Sequence, residues 1–110
     1  MLKISGTTIT LTRGDSARIA LDLHYKDGEP YEPAEGDTIR FAMKKGYSDL
    51  LPPLLLIGIS TEDLILYIPA TDTKSLAYGQ YKYDIQLTTA SGDVDTFIDR
   101  ATITITEEVD

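Results

Sequence analysis

The sequence contains no cysteine and no tryptophan. Without thiols there is neither a disulfide framework nor a thiolate metal site. The single histidine, His24, removes most catalytic-triad and imidazole-metal chemistry, so no metal and no cofactor are expected. Basic residues are scarce: 10 Lys and Arg stand against 18 Asp and Glu, a net charge of −8. Phosphate contacts depend on Lys and Arg, so no nucleic-acid partner is expected. No apolar run is long enough to span a bilayer, so no membrane partner is expected either. Met1-Leu2-Lys3 leads into polar residues rather than an apolar leader, and no signal peptide is expected.

The acidity is uneven. Up to Leu55 there are seven basic and eight acidic residues, and from Leu56 onward three and ten. A solvated acidic face that aids solubility accounts for this, with a steering surface for a basic partner as the alternative. At 110 residues the chain is expected to be one domain, residues 1–110.

What the chain has in quantity is alternation. Tyr81, Tyr83, Ile85 and Leu87 alternate with Lys82, Asp84, Gln86 and Thr88, a period of two that gives a strand one apolar and one wet face. Thr89-Ala90-Ser91-Gly92-Asp93 reads as a turn. A returning strand starts at Val94, but Val94, Thr96 and Ile98 are one residue out of phase with Ala101, Ile103 and Ile105. A bulge near Asp99-Arg100 would bring both sets to the core face.

Upstream, Thr7 to Thr12 reads as a strand with Ile9 and Leu11 on one face, turned by Arg13-Gly14-Asp15-Ser16. Ile19, Leu21, Leu23 and Tyr25 predict a second strand, with His24 in its polar phase. Lys26 to Pro30 is a turn by composition, and Tyr31 to Asp37 an acidic, irregular connection. Ile39, Phe41 and Met43 predict a third strand, Leu54 to Ile59 a short one, and Leu64, Leu66 and Ile68 another. Thr71 to Tyr78 can form one helical turn, capped by Thr71 or Asp72. About seven strands, turn signals roughly every 8–12 residues and no long helical period predict an all-β fold, an immunoglobulin-like antiparallel β-sandwich. Gly79-Gln80-Tyr81-Lys82-Tyr83 supports it. Tyr81 stands where a tyrosine corner would hydrogen-bond upstream backbone, between Asp72 and Leu76, and Tyr83 where an antibody domain has its second cysteine.

Three motifs have plain structural explanations. Arg13-Gly14-Asp15-Ser16 matches the integrin-binding tetrapeptide, but a Gly-Asp turn between strands accounts for it. Asp93, Asp95 and Asp99 lack the glycine and terminal glutamate of a calcium loop. No Gly-rich phosphate loop, Ser/His/Asp set or pair of buried carboxylates can be assembled, so no enzyme and no catalytic residue are expected.

Several stretches together resemble one family. They are Ile9-Thr10-Leu11-Thr12-Arg13-Gly14-Asp15-Ser16, Asp27-Gly28, Ile39-Arg40-Phe41-Ala42-Met43-Lys44-Lys45 and Ile68-Pro69-Ala70-Thr71-Asp72-Thr73. Leu76 to Leu87, Gly92 to Thr96 and Ile103 to Val109 complete the set, with Tyr81-Lys82-Tyr83-Asp84-Ile85-Gln86-Leu87 after Gly79 the most specific piece. They are similar to the N-terminal domain of upper baseplate proteins in tailed phages of Gram-positive bacteria and in prophages. The resemblance implies an immunoglobulin-like virion structural protein, made in the bacterial cytoplasm. It would dock a fibre or receptor-binding assembly onto the tail through protein–protein contacts with other tail and baseplate proteins. It brings no catalytic residues. In that family the domain usually precedes further modules, whereas this sequence ends at Asp110; either a stand-alone docking module or a piece of something longer fits.

Leu50-Leu51-Pro52-Pro53-Leu54-Leu55-Leu56-Ile57 is the candidate docking segment. Alternation buries only about half of it, and two prolines keep part of it out of a central ladder. Leu50, Leu51, Leu54 and Leu55 are the candidate interface residues, for a tail partner or for a homo-oligomer. The competing role for Leu54 to Ile59 is to close an open end of the core. Tyr81 and Gly79 are expected to be structural. A carbohydrate- or receptor-binding β-sandwich, with Tyr31, Tyr47, Tyr67 and Tyr78 as stacking platforms, is the alternative function.

Overall fold

The computed structural model of the chain describes residues 2–5, 7–25, 27–46 and 53–107. Among them are strands β1 (Leu2–Ser5), β2 (Thr8–Thr12), β3 (Ala17–Ala20), β4 (Thr38–Lys44), β5 (Leu55–Ile59) and β6 (Ile65–Ile68). A short helix α1 (Ala70–Lys74) precedes β7 (Gly79–Thr88) and β8 (Val94–Thr106). Six strands form one sheet in the order β1-β2-β8-β7-β4-β5, and β3 pairs with β6 in a second, smaller one. The all-β expectation holds, with eight strands among the described residues rather than about seven.

The expected antiparallel arrangement needs correction. β2 runs parallel to β8, with Ile9 opposite Ile103 and Leu11 opposite Ile105, so the larger sheet is mixed. The other pairings are antiparallel. Alternation reads the same in either direction along a strand, so side-chain pattern carries no information on this point.

The alternating residues do what their period dictates. Tyr81, Tyr83, Ile85 and Leu87 of β7 are buried while Lys82, Asp84 and Gln86 are half-exposed. Ile39, Phe41 and Met43 of β4, Ala101, Ile103 and Ile105 of β8, and Ile9 and Leu11 of β2 join them. Ala17 and Ile19 of β3 and Leu66 and Ile68 of β6 complete a single core to which both sheets contribute.

β3 is shorter than the expected strand through Tyr25. Its partner turns away: Leu64, just before β6, takes the left-handed φ of 52°, and the last bond runs from the Leu21 amide to the Leu64 carbonyl at 2.9 Å. Leu21 and Leu23 still reach the core, while His24 is exposed and forms an isolated bridge with Pro30.

The bulge falls where the phase slip requires it. Ala101 lies opposite Tyr83 but Ile98 opposite Ile85, so β8 carries an extra residue at Asp99-Arg100, and Arg100 adopts φ 54°. A second shift follows, because Thr96 lies opposite Gln86, the next residue along. The outcome differs from the simple restoration of Val94, Thr96 and Ile98. Phe97 and Ile98 both pack against the core, and Val94 is 59% exposed. Phe97 sits 5.2 Å from the ring of Tyr31 and 5.9 Å from that of Tyr25.

Helix α1 begins two residues earlier than a Thr71 cap would have it. Pro69 occupies the N-cap position without any side-chain cap. Gly79, at φ 137°, starts β7 in a conformation that favours glycine. The Tyr81 hydroxyl donates to the Ala77 carbonyl at 2.7 Å, one residue past the window anticipated for a corner. Tyr81→Phe is expected to lower the urea midpoint at unchanged m, by about 1 kcal/mol in stability, because one partly buried carbonyl loses its donor. Equal midpoints would remove the corner role.

Candidate functional site

Two surfaces and one turn concentrate chemistry. The first is the outer face of the larger sheet. On β4 this phase carries Arg40, Ala42 and Lys44, directly opposite Gln86, Asp84 and Lys82 of β7. The bulge swings Asp99 and Arg100 beside them. Because Ala42 is short among long neighbours it is only 5% exposed, and it floors a pocket of about 170 Å³ lined also by Lys44, Lys82, Asp84, Asp99 and Arg100. Arg40 leans towards β7: its Nη2 donates to Gln86 Oε1 at 2.6 Å, and its Nη1 lies 3.5 Å from Asp84 Oδ1. Lys82 donates to Thr102 Oγ1 at 2.9 Å. Four of the chain's 10 basic residues border this face beside two carboxylates. The groups suit hydrogen bonding to small polar or anionic groups, and the exposed pair adds about 0–1 kcal/mol of stability.

The second surface is β5, an edge of the same sheet. Leu55 and Ile57 are half-buried against the core and Ile59 is buried, while Leu54 is 46% and Leu56 62% exposed. Of the four candidate interface residues, Leu50 and Leu51 lie outside the described residues. Leu54 is on the surface. Leu55 faces the core side, opposite Met43. Leu56, the most exposed leucine among the described residues, was not among the candidates, although strict alternation from Leu55 would have selected it.

The third feature is the turn at Arg13-Gly14-Asp15. Thr73, on α1 and 1% exposed, places its hydroxyl inside it. Thr73 Oγ1 accepts from the Gly14 amide at 3.0 Å and donates to the Asp15 carbonyl at 2.8 Å, with the Ala70 carbonyl also within 3.0 Å. Arg13 Nε donates to the Lys74 carbonyl at 3.0 Å, and the guanidinium lies 5.4 Å from the Tyr78 ring centre. Gly14 takes φ 88°, which a glycine permits. The tetrapeptide is thus fastened to α1 along its backbone. Asp15→Glu is expected to leave cell adhesion to the immobilised protein unchanged; adhesion to wild type that the variant loses would make the turn a receptor site.

The tyrosines expected as stacking platforms are not gathered together. Tyr31 is buried, and its hydroxyl donates to Asp37 Oδ2 at 2.8 Å. Burial, and then the bond to Asp37, push this phenol well above its usual range. Tyr67 is 38% exposed on β6 with the Arg18 guanidinium 4.2 Å from its ring centre. Tyr78 is exposed beside Arg13, and Tyr47 lies outside the described residues. Tyr83 is buried, donates to the Thr7 carbonyl, and has its phenol pushed up to about 12 by desolvation. It therefore joins β7 to the turn between β1 and β2. Asp93, Asp95 and Asp99 are exposed, and among the described residues no three metal-binding side chains converge. No described helix is long and apolar enough to cross a membrane.

Compared with protein-family models and with curated proteins, the sequence matches none.

Proposed function

We propose that this chain is a non-enzymatic docking module of a phage or prophage tail, holding together parts of the baseplate through protein–protein contacts. The stretches that resemble upper baseplate proteins form the framework of the fold. Ile9 to Ser16 spans most of β2 and its turn, Ile39 to Lys45 follows β4, and Leu76 to Leu87 leads into β7. Within this reading the fold is an immunoglobulin-like sandwich. What supports it is that β2 lies parallel to the last strand, β8, and that Tyr81 and Tyr83 fit the corner and second-cysteine positions expected of that architecture.

The observation that carries the docking role is the β5 edge. From Pro53 to Thr61 no residue is charged, although a quarter of the chain is, and two of its leucines face solvent. A contiguous apolar strip of this kind marks an interaction surface. The test is to purify tail particles from a strain carrying an affinity-tagged copy, then cross-link and identify neighbours by mass spectrometry. The chain should appear in the particle at fixed stoichiometry, linked to other tail proteins. Its absence from particles that are otherwise complete would end the reading. Titration of the isolated domain with host cell-wall polysaccharide is expected to give no saturable binding.

A further inference from the structure

We propose that β5 pairs with β5 of a second copy of this chain, in antiparallel register about Ile57, to join two six-stranded sheets into one. This stands on the geometry of the edge alone and does not depend on the tail reading.

An edge strand presents alternate amides and carbonyls to solvent, and soluble proteins block such edges with charges, prolines or bulges. β5 has none of these. Its sequence is Leu55-Leu56-Ile57-Gly58-Ile59, its register with β4 is regular from Leu55 to Ile59, and among the described residues no strand pairs with its far side.

The occupant is chosen by self-complementarity. A two-fold axis at Ile57 places Leu56 of each copy opposite Gly58 of the other, and Leu55 opposite Ile59. Leu56 and Gly58 are two apart, so they share the outer face, where Leu56 is 62% exposed. Gly58 supplies the matching space. A Cβ built there would meet nothing within 4 Å, because Arg40, the residue opposite it on β4, leans the other way to Gln86 and Asp84. Beside Gly58 a shallow hollow opens between Thr38, Ser60, Thr61 and Glu62. A leucine side chain from the second copy would enter that space twice, once on each side of the axis. On the inner face, Leu55 is half-buried, and Ile59 of the second copy would cover its exposed part. The register brings Leu54 opposite Ser60, so no like charges meet. An isologous pairing of this kind closes after two copies.

The experiment is sedimentation velocity of the full chain over a range of concentrations, on wild type, Leu56→Lys and Gly58→Val. Wild type should be a concentration-dependent dimer. Leu56→Lys adds a charge to the strip, and Gly58→Val fills the hole. Both should weaken dimerisation about ten- to hundredfold while leaving the monomer's thermal midpoint in place. Gly58→Val separates the proposal from general surface stickiness: it makes the edge more apolar and more strand-prone, yet should dissociate the dimer. Val94→Lys, a control on another exposed apolar residue, should change nothing. Because the chain has no cysteine, Ile57→Cys supplies one thiol per copy, and oxidation should yield a covalent dimer only if the axis passes there. A wild type that stays monomeric at millimolar concentration overturns the proposal, as does a dimer that survives both β5 substitutions.

Discussion

Phe41→Ala is expected to remove about 3–5 kcal/mol of folding stability, the usual cost of truncating a buried phenylalanine. Phe41 is 0% exposed. It lies mid-way along β4, with Ile57 opposite on one side and Ile85 on the other. Its ring packs against that of Tyr83 at a centroid distance of 5.3 Å. Tyr83 cannot easily move into the vacated volume, because its hydroxyl is tied to the Thr7 carbonyl. The cavity should therefore stay open, which places the loss at the upper end of the range. A domain of this size has roughly 5–15 kcal/mol in total, so the variant should have a much lower urea midpoint at unchanged m. Arg40→Ala, one residue away on the wet face, should shift stability by only about 0.5 kcal/mol. A Phe41→Ala loss below about 1 kcal/mol would mean that β4 does not sit between β5 and β7.

That strand was legible in the sequence for the same reason that its truncation should be costly. Ile39, Phe41 and Met43 alternate with Arg40, Ala42 and Lys44, and only one face can be buried without burying charge. The bulge at Asp99-Arg100 was legible too, since apolar phase is lost there and a two-residue period can recover it only by an insertion. The second shift was not. Thr96, Phe97 and Ile98 can each face a core, so alternation alone did not choose among them, and the aromatic contacts with Tyr25 and Tyr31 did. Strand direction was hidden altogether, as the parallel partnership of β2 and β8 joins segments at opposite ends of the sequence. On the candidate surface, Leu54 and Leu56 face solvent while Leu55 faces the core side; Leu54-Leu55-Leu56-Ile57 is apolar at every position, so no polar residue marks which phase is buried. The hollow over Ala42 depends on a short side chain being ringed by long ones from two strands and a bulge, a relation that only the register creates.

Thr73 was the least legible residue, and its replacement by valine is expected to cost about 2–3 kcal/mol. In sequence it is a threonine in a weakly helical segment, with no spacing to distinguish it. In the fold it is the buried polar side chain on which the turn between β2 and β3 is hung. Valine matches its shape, so packing of the two branches is retained and the hydroxyl is the only thing lost. The Gly14 amide is then left without its acceptor in a partly buried position, and the Asp15 carbonyl loses the 2.8 Å bond. Removing one partner while its mates stay in place exposes the full desolvation cost of the groups left behind. Thr73→Ser keeps the oxygen and deletes one methyl, for which about 0.8 kcal/mol is expected. The order of stability should thus be wild type, then serine, then valine, whereas apolar burial alone would put valine first. Urea unfolding of the three proteins measures it, and amide hydrogen exchange at Gly14 should accelerate in the valine variant alone. If valine proves as stable as wild type, the turn is held by Arg13 and its bond to the Lys74 carbonyl, and Thr73 is only filling space.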